Sequence, residues 1–160
     1  MNFINLKIKA PKDEVLGFIS DNKKVNQNVR FDDRRGTPLM HVKHSGENLR
    51  INCEMINRAS KDNGFIVGTF FKGKIRERNG ETEIKGIILT APLYHLIWFT
   101  LLALLVWQCI MYVAISALPI LFVAFEIIMF SGEFKKQGYI KRYLMRAAAK
   151  MNSARQKNGL

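Results

Sequence analysis

The chain has 160 residues, about one domain's worth of length, with 25 Lys and Arg against 13 Asp and Glu, a net charge of +12, and 48% apolar residues. That length excludes a large multidomain enzyme. The distribution argues against a plain soluble globular domain, because residues 86–125 form a run of 40 without an acidic or basic charge, His95 aside. The first 90 residues carry 17 basic and 11 acidic side chains, and the last 70 carry 8 and 2.

The opening Met1–Lys9 has no basic stretch followed by a long apolar run, so no secretory signal peptide is expected. The two cysteines, Cys53 in the polar half and Cys109 in the apolar run, do not form a disulfide framework and fit a reducing compartment. Phe3–Lys9 alternates, with Ile4, Leu6 and Ile8 on one face, as a half-buried strand does. Pro11, Asp13 and Glu14 then start a helix whose apolar side is Val15, Leu16, Phe18 and Ile19. Residues 21–36 read as a polar connector without a period, ending in the charge run Asp32-Asp33-Arg34-Arg35-Gly36. Leu49–Met55 alternates again, placing Leu49, Ile51, Cys53 and Met55 inward.

Asn79-Gly80 between Phe70–Arg78 and Glu81–Leu89 predicts a hairpin closed by a type I′ turn. This register sets Arg78 opposite Glu81, Arg76 opposite Glu83, Ile75 opposite Ile84 and Lys74 opposite Lys85. The last pair is repulsive unless anionic headgroups lie beside it. The expected fold class is therefore α+β: a small antiparallel sheet with one helix in residues 1–90. The opening strand and the helix start Ala10-Pro11-x-x-x-Val15 resemble the beginning of helix-grip lipid-binding domains. Phe71, Gly73, Ile75 and Gly86, just ahead of the apolar run, resemble the sheet end of small bacterial two-span membrane proteins of unknown function with an N-terminal cytoplasmic α+β domain. This second resemblance implies an architecture and no activity.

Of the 38 residues Leu93–Phe130, 32 are apolar or aromatic. A bilayer core of ~30 Å needs ~20 helical residues, so the run is read as a transmembrane helical hairpin within 91–132. One span is expected at 93–114, a break at Ser116–Pro119 and a second span at 117–132. Lys72, Lys74, Arg76, Arg78 and Lys85 precede it and Lys135, Lys136, Lys141, Arg142, Arg146 and Lys150 follow it. Positive flanks on both sides predict an inner-membrane protein with both termini cytoplasmic. Glu126 is the lone acid in the run, and Gln108 and Trp107 are its expected partners across the hairpin, in a structural role. Residues 133–152 follow as a basic amphipathic helix, with Ile140, Tyr143, Leu144, Ala147, Ala148 and Met151 on one face. It lies on the membrane or docks on the protein's own sheet. Residues 153–160 are expected to be a disordered tail. Lys74, Lys85, Lys135, Lys136, Lys141, Arg142, Arg146 and Lys150 are the expected headgroup contacts, each contributing ~1 kcal/mol near an anionic leaflet.

Nothing in the sequence argues for catalysis. There is no phosphate loop, no Gly-x-Gly and no Gly-x-Ser-x-Gly. His41, His44 and Cys53 lack the spacing of a four-ligand metal site, so neither a metal nor another cofactor is expected. The expectation is a non-enzymatic membrane protein, an accessory or regulatory subunit of a larger assembly, with anionic lipids and a protein partner or a second copy as partners. The alternative is binding of lipid headgroups or a lipophilic ligand at the inner membrane surface. Nucleic acid is not expected, since the charge clusters beside the apolar run.

Overall fold

The computed structural model describes residues 2–27, 29, 37–56, 68–90, 92–111 and 117–157. The elements are β1 (Asn2–Ile8), α1 (Lys12–Ser20), α2 (Asn22–Asn26), β2 (Thr37–Ser45), β3 (Asn48–Ile56), β4 (Phe70–Arg78), β5 (Glu81–Leu89), α3 (Pro92–Met111) and α4 (Ala117–Lys157). The five strands form one antiparallel sheet in the order β1-β5-β4-β3-β2.

The hairpin expected at Asn79-Gly80 is present, with φ of 54° and 75° at its two turn residues, both in the left-handed region that a type I′ turn requires. Its register is the expected one, Arg78↔Glu81, Arg76↔Glu83, Ile75↔Ile84 and Lys74↔Lys85. Gly73 and Gly86 face each other within it. A Cβ on either would collide with the Phe71 ring and with the opposite strand's backbone. The ring therefore lies over a two-glycine gap in the sheet, in the way an aromatic residue compensates glycines in strands.

One face of the sheet is the core. Ile4, Ile8, Met40, Leu49, Ile51, Phe71, Ile75, Ile84 and Ile88 project from it and are buried. α1 adds Val15, Leu16 and Ile19, and α2 adds Val25. The largest cover is the second half of α4, whose Ile140, Tyr143, Leu144, Ala147, Ala148 and Met151 are all buried. The Tyr143 hydroxyl donates to the Ile19 carbonyl oxygen at 2.7 Å, which satisfies the polar end of an otherwise buried ring. Two asparagine amides close the sheet edges. Asn22 accepts from Met40 N–H and donates to Met40 C=O on β2. Asn152 of α4 accepts from Lys9 N–H and donates to Lys7 C=O beside β1. Each occupies backbone groups that an edge strand leaves open.

Several expectations change. The α+β sheet stands, but three helices pack on it, not one. The connector at 21–36 contains α2, started by Asp21, whose carboxylate accepts from the N–H groups of Lys23 and Lys24. These backbone bonds hold its carboxyl below the usual carboxylate range. The charge run 32–36 lies outside the described residues. The helix expected at 133–152 is the continuation of a single 41-residue helix that begins at Ala117, and it docks on the sheet. Of the expected disordered tail, residues 153–157 are helical, and 158–160 lie outside the described residues.

The transmembrane hairpin is corrected. Among the described residues no helix is long and apolar enough to cross a membrane. In α3 the apolar sequence is interrupted by His95, Thr100 and Gln108. In α4 the apolar part, residues 117–132, is 16 residues long before Glu133, Lys135 and Lys136 follow, short of the ~20 that a crossing needs. The break expected at Ser116 lies outside the described residues. The inner-membrane, multi-pass placement and the orientation drawn from the basic flanks rested on those two crossings and are corrected with them.

Gly80→Val puts a β-branched residue at φ 75°. Strain of that kind is of order 1–3 kcal/mol, so the urea unfolding midpoint of the full chain should fall accordingly. An unmoved midpoint would contradict the turn assignment.

Candidate functional site: the open face of the sheet

α1, α2 and the second half of α4 pack on one face of the sheet, and no other described residue is seen to cover the opposite face. Strand alternation assigns its residues, and exposure agrees: Phe3, Asn5, Lys7, Lys43, Arg50, Lys72, Lys74, Arg76 and Lys85 are all exposed. The register then gives rungs across the sheet. One rung runs Phe3, Ile87, Lys72, Arg50, Lys43 from β1 to β2. The neighbouring rung runs Asn5, Lys85, Lys74, Asn48. Lys43, Arg50 and Lys72 are thus side by side on three adjacent strands, and Lys74 directly opposes Lys85. Like charges placed directly opposite destabilise a sheet.

Compensation is partial. Lys85 pairs with Glu83 at 2.8 Å, and Arg76 pairs with Glu47 at 2.7 Å. Both carboxyls are held below the ordinary glutamate range, chiefly by the hydrogen bond from the basic partner. The Arg50 guanidinium lies 4.3 Å above the Phe70 ring and donates to Asn52 Oδ1. At the far edge His41 contacts Glu54 at 2.6 Å. Lys43, Lys72 and Lys74 have no ion-pair partner among the described residues. Eight cations, Lys7, Lys43, Arg50, Lys72, Lys74, Arg76, Arg78 and Lys85, face three strand carboxylates, Glu54, Glu81 and Glu83, with Glu47 of the β2–β3 turn reaching Arg76.

The face adjoins the point where the chain leaves the sheet for α3. There Glu133 of α4, 5% exposed, accepts from Thr69 N–H at 2.8 Å and from the Thr69 hydroxyl at 2.9 Å. Its other oxygen takes the Lys136 ammonium. Gln137 donates to the Thr90 hydroxyl at 3.1 Å. A buried carboxylate requires such partners, and here they join α4 to the start of β4 and the end of β5. A Cβ on Gly68 would come within 2.8 Å of the Glu133 carboxylate, so a glycine there keeps the contact close.

α3 is apolar around most of its circumference. At 3.6 residues per turn, Leu102, Val106, Phe99, Ile110, Leu96, Trp107, Leu104 and Ile97 step round more than half of the wheel, and all are exposed. Leu101 and Leu105, on the remaining side, are half-buried. An amphipathic helix would show a polar face; this one does not.

The expected headgroup contacts are divided between the sheet and α4. Lys74 and Lys85 do meet on the open face. Lys136 turns inward to Glu133, while Arg146 donates to Asn26 and Lys150 to the carbonyls of Lys24 and Gln27. Burial lowers the Arg146 pKa. Lys135, Lys141 and Arg142 are exposed on α4, with Arg142 over the Tyr139 ring at 5.2 Å. Trp107 is 64% exposed and Gln108 is exposed; the side chain of Glu126, their expected partner, lies outside the described residues. Lys43, Arg50 and Lys72 escaped the sequence reading as partners of Lys74 and Lys85, although the alternation Lys72, Lys74, Arg76 placed three of these cations on one strand face. Among the described residues no three His, Cys, Asp or Glu side chains gather as metal ligands would.

No protein-family model, no curated protein and no solved structure matches this chain.

Cys53 sits in the core, and desolvation pushes its thiol up to about 12. Thiolate is the reactive form. In the folded chain at pH 8, peptide-resolved mass spectrometry should find Cys53 unmodified by iodoacetamide, with full alkylation in urea. Rapid labelling without denaturant would contradict its burial.

Proposed function

We propose that the protein is a non-enzymatic docking protein, an accessory or regulatory subunit whose sheet domain is seated on an anionic lipid surface through its open face. The observation that carries this is the pair of like-charge rungs, Lys43–Arg50–Lys72 and Lys74–Lys85, exposed and under-compensated. Anionic headgroups supply the missing counter-charge. Basic side chains near such a surface contribute ~1 kcal/mol each, falling off within a Debye length. The exposed apolar side chains over more than half of the α3 circumference support the same reading, since a lipid surface takes up such side chains. Contact with lipid is sufficient here, with no crossing of it.

Single-stranded nucleic acid is disfavoured by the aromatics. Sheet domains that bind it stack bases on exposed rings. Phe70 is capped by Arg50, and Phe3 stands on the edge strand, leaving no stacking platform among the cations of the described residues.

The test uses the full chain, kept soluble in amphipathic polymer, with vesicles of pure phosphatidylcholine and of phosphatidylcholine with 30% phosphatidylglycerol. The chain should prefer the anionic vesicles, and 0.5 M NaCl should weaken that preference. Lys72→Glu with Lys74→Glu should reduce the preference at least about tenfold, following the ~1 kcal/mol per basic residue, at an unchanged melting temperature. Equal binding to both vesicle types, or a preference untouched by the charge reversal, would contradict the proposal. So would tighter binding of a single-stranded oligonucleotide than of the anionic vesicles.

A further inference from the structure

On the helical side of the domain, away from the open face, a groove of about 520 Å³ lies between α1, α2 and the end of α4. Its apolar wall is Phe18, Met151 and Ala154. Its cations are Lys24, Lys150 and Arg155, against one carboxylate, Glu14.

Gly17 is the informative residue. It is the sixth of nine residues in α1, and glycine inside a helix costs about 1 kcal/mol relative to alanine. Close helix packing would be one reason for it. Yet no atom of the described residues lies within 4 Å of the position a Cβ would take. Among the described residues the missing side chain serves no contact, and Gly17 lines the groove.

The cations are held in place with donors to spare. The Lys150 ammonium donates to the carbonyls of Lys24 and Gln27 at 2.9 and 3.1 Å, which leaves one of its three N–H bonds. Arg155 uses one nitrogen on Glu14 at 3.1 Å, linking the two walls. The Lys24 side chain is 67% exposed, with Asp21 at 3.6 Å. The groove's volume falls in the lower half of the range of small-molecule sites, roughly 300–1,000 Å³, room for one chain.

We infer that this groove binds a single-chain anionic amphiphile, its tail along Phe18, Met151 and Ala154 and its carboxylate or phosphate head at Lys24 and Lys150. This site is independent of the open face, since it involves neither its residues nor its side of the sheet.

Isothermal titration of the full chain in amphipathic polymer tests it, with laurate and monododecyl phosphate as probes and dodecanol as the uncharged control. Saturable binding of at least one anionic probe is expected, with dodecanol at least about tenfold weaker. The stronger probe identifies the head chemistry. Gly17→Leu fills the groove and should weaken binding at least tenfold while the melting temperature holds or rises. Lys24→Gln should weaken it several-fold. The apolar α3 could take up amphiphiles on its own, and such uptake would be untouched by Gly17→Leu. Binding unaffected by Gly17→Leu, equal affinity for dodecanol, or no saturable binding of either anionic probe would overturn the assignment. The vesicle preference should be unchanged in Gly17→Leu, so this site and the open face fail separately.

Discussion

The docking of α4 on the sheet is the contact on which the remaining structure depends. A single antiparallel sheet with one apolar face must bury that face against a second layer. α1 and α2 together supply 14 helical residues, too few to cover five strands. The stripe Ile140, Tyr143, Leu144, Ala147, Ala148 and Met151 completes the cover. Full burial of a large apolar side chain contributes ~1.5–3 kcal/mol, so this stripe is comparable in size to a small domain's whole net stability. The polar contacts at its two ends fix where it sits: Glu133 with Thr69 at one end and Asn152 with the backbone of Lys7 and Lys9 at the other.

That arrangement makes the domain two-sided. Among the described residues the helical cover lies on one face, and the other collects Lys43, Arg50, Lys72, Lys74 and Lys85. It also makes the apolar first half of α4 continuous with the docked segment. α4 is one helix from Ala117 to Lys157, and the Glu133 node clamps it where β5 gives way to α3. A displacement at the apolar end of α4 is therefore carried into the sheet domain through one continuous helix. The amphiphile groove opens at the opposite end of the same helix.

The elements legible in the sequence are those with a local signal. Asn79-Gly80 fixes its own turn, and the alternation of Ile4, Leu6, Ile8 and of Leu49, Ile51, Cys53 reports strands with one buried face. β2 was obscured because Pro38 and the polar His41-Val42-Lys43-His44 blur the period of a strand at the sheet edge. α2 was obscured because five residues with a single buried side chain, Val25, show no periodicity. The α4 stripe was visible as amphipathic, but periodicity tells that a face is apolar and is silent on what covers it; lipid and the protein's own sheet present the same pattern. The apolar run misled in a related way. Hydropathy counts residues, whereas a crossing needs them placed along one sufficiently long helix, and the described residues of α3 and α4 do not provide one. The open face was half legible: Lys74 opposite Lys85 follows from the hairpin, but Lys43 and Arg50 join them only through strand pairings distant in sequence.

Hydrogen–deuterium exchange on the full chain tests the account most directly. If α4 is the second layer of the domain, the amides of residues 140–151 should be protected to the same degree as those of β4 and β5, and the two should lose protection together as urea is raised. If 140–151 exchange rapidly while the strands stay protected, the helix is not part of the core, and both the open cationic face and the coupling through α4 derived from its docking are wrong.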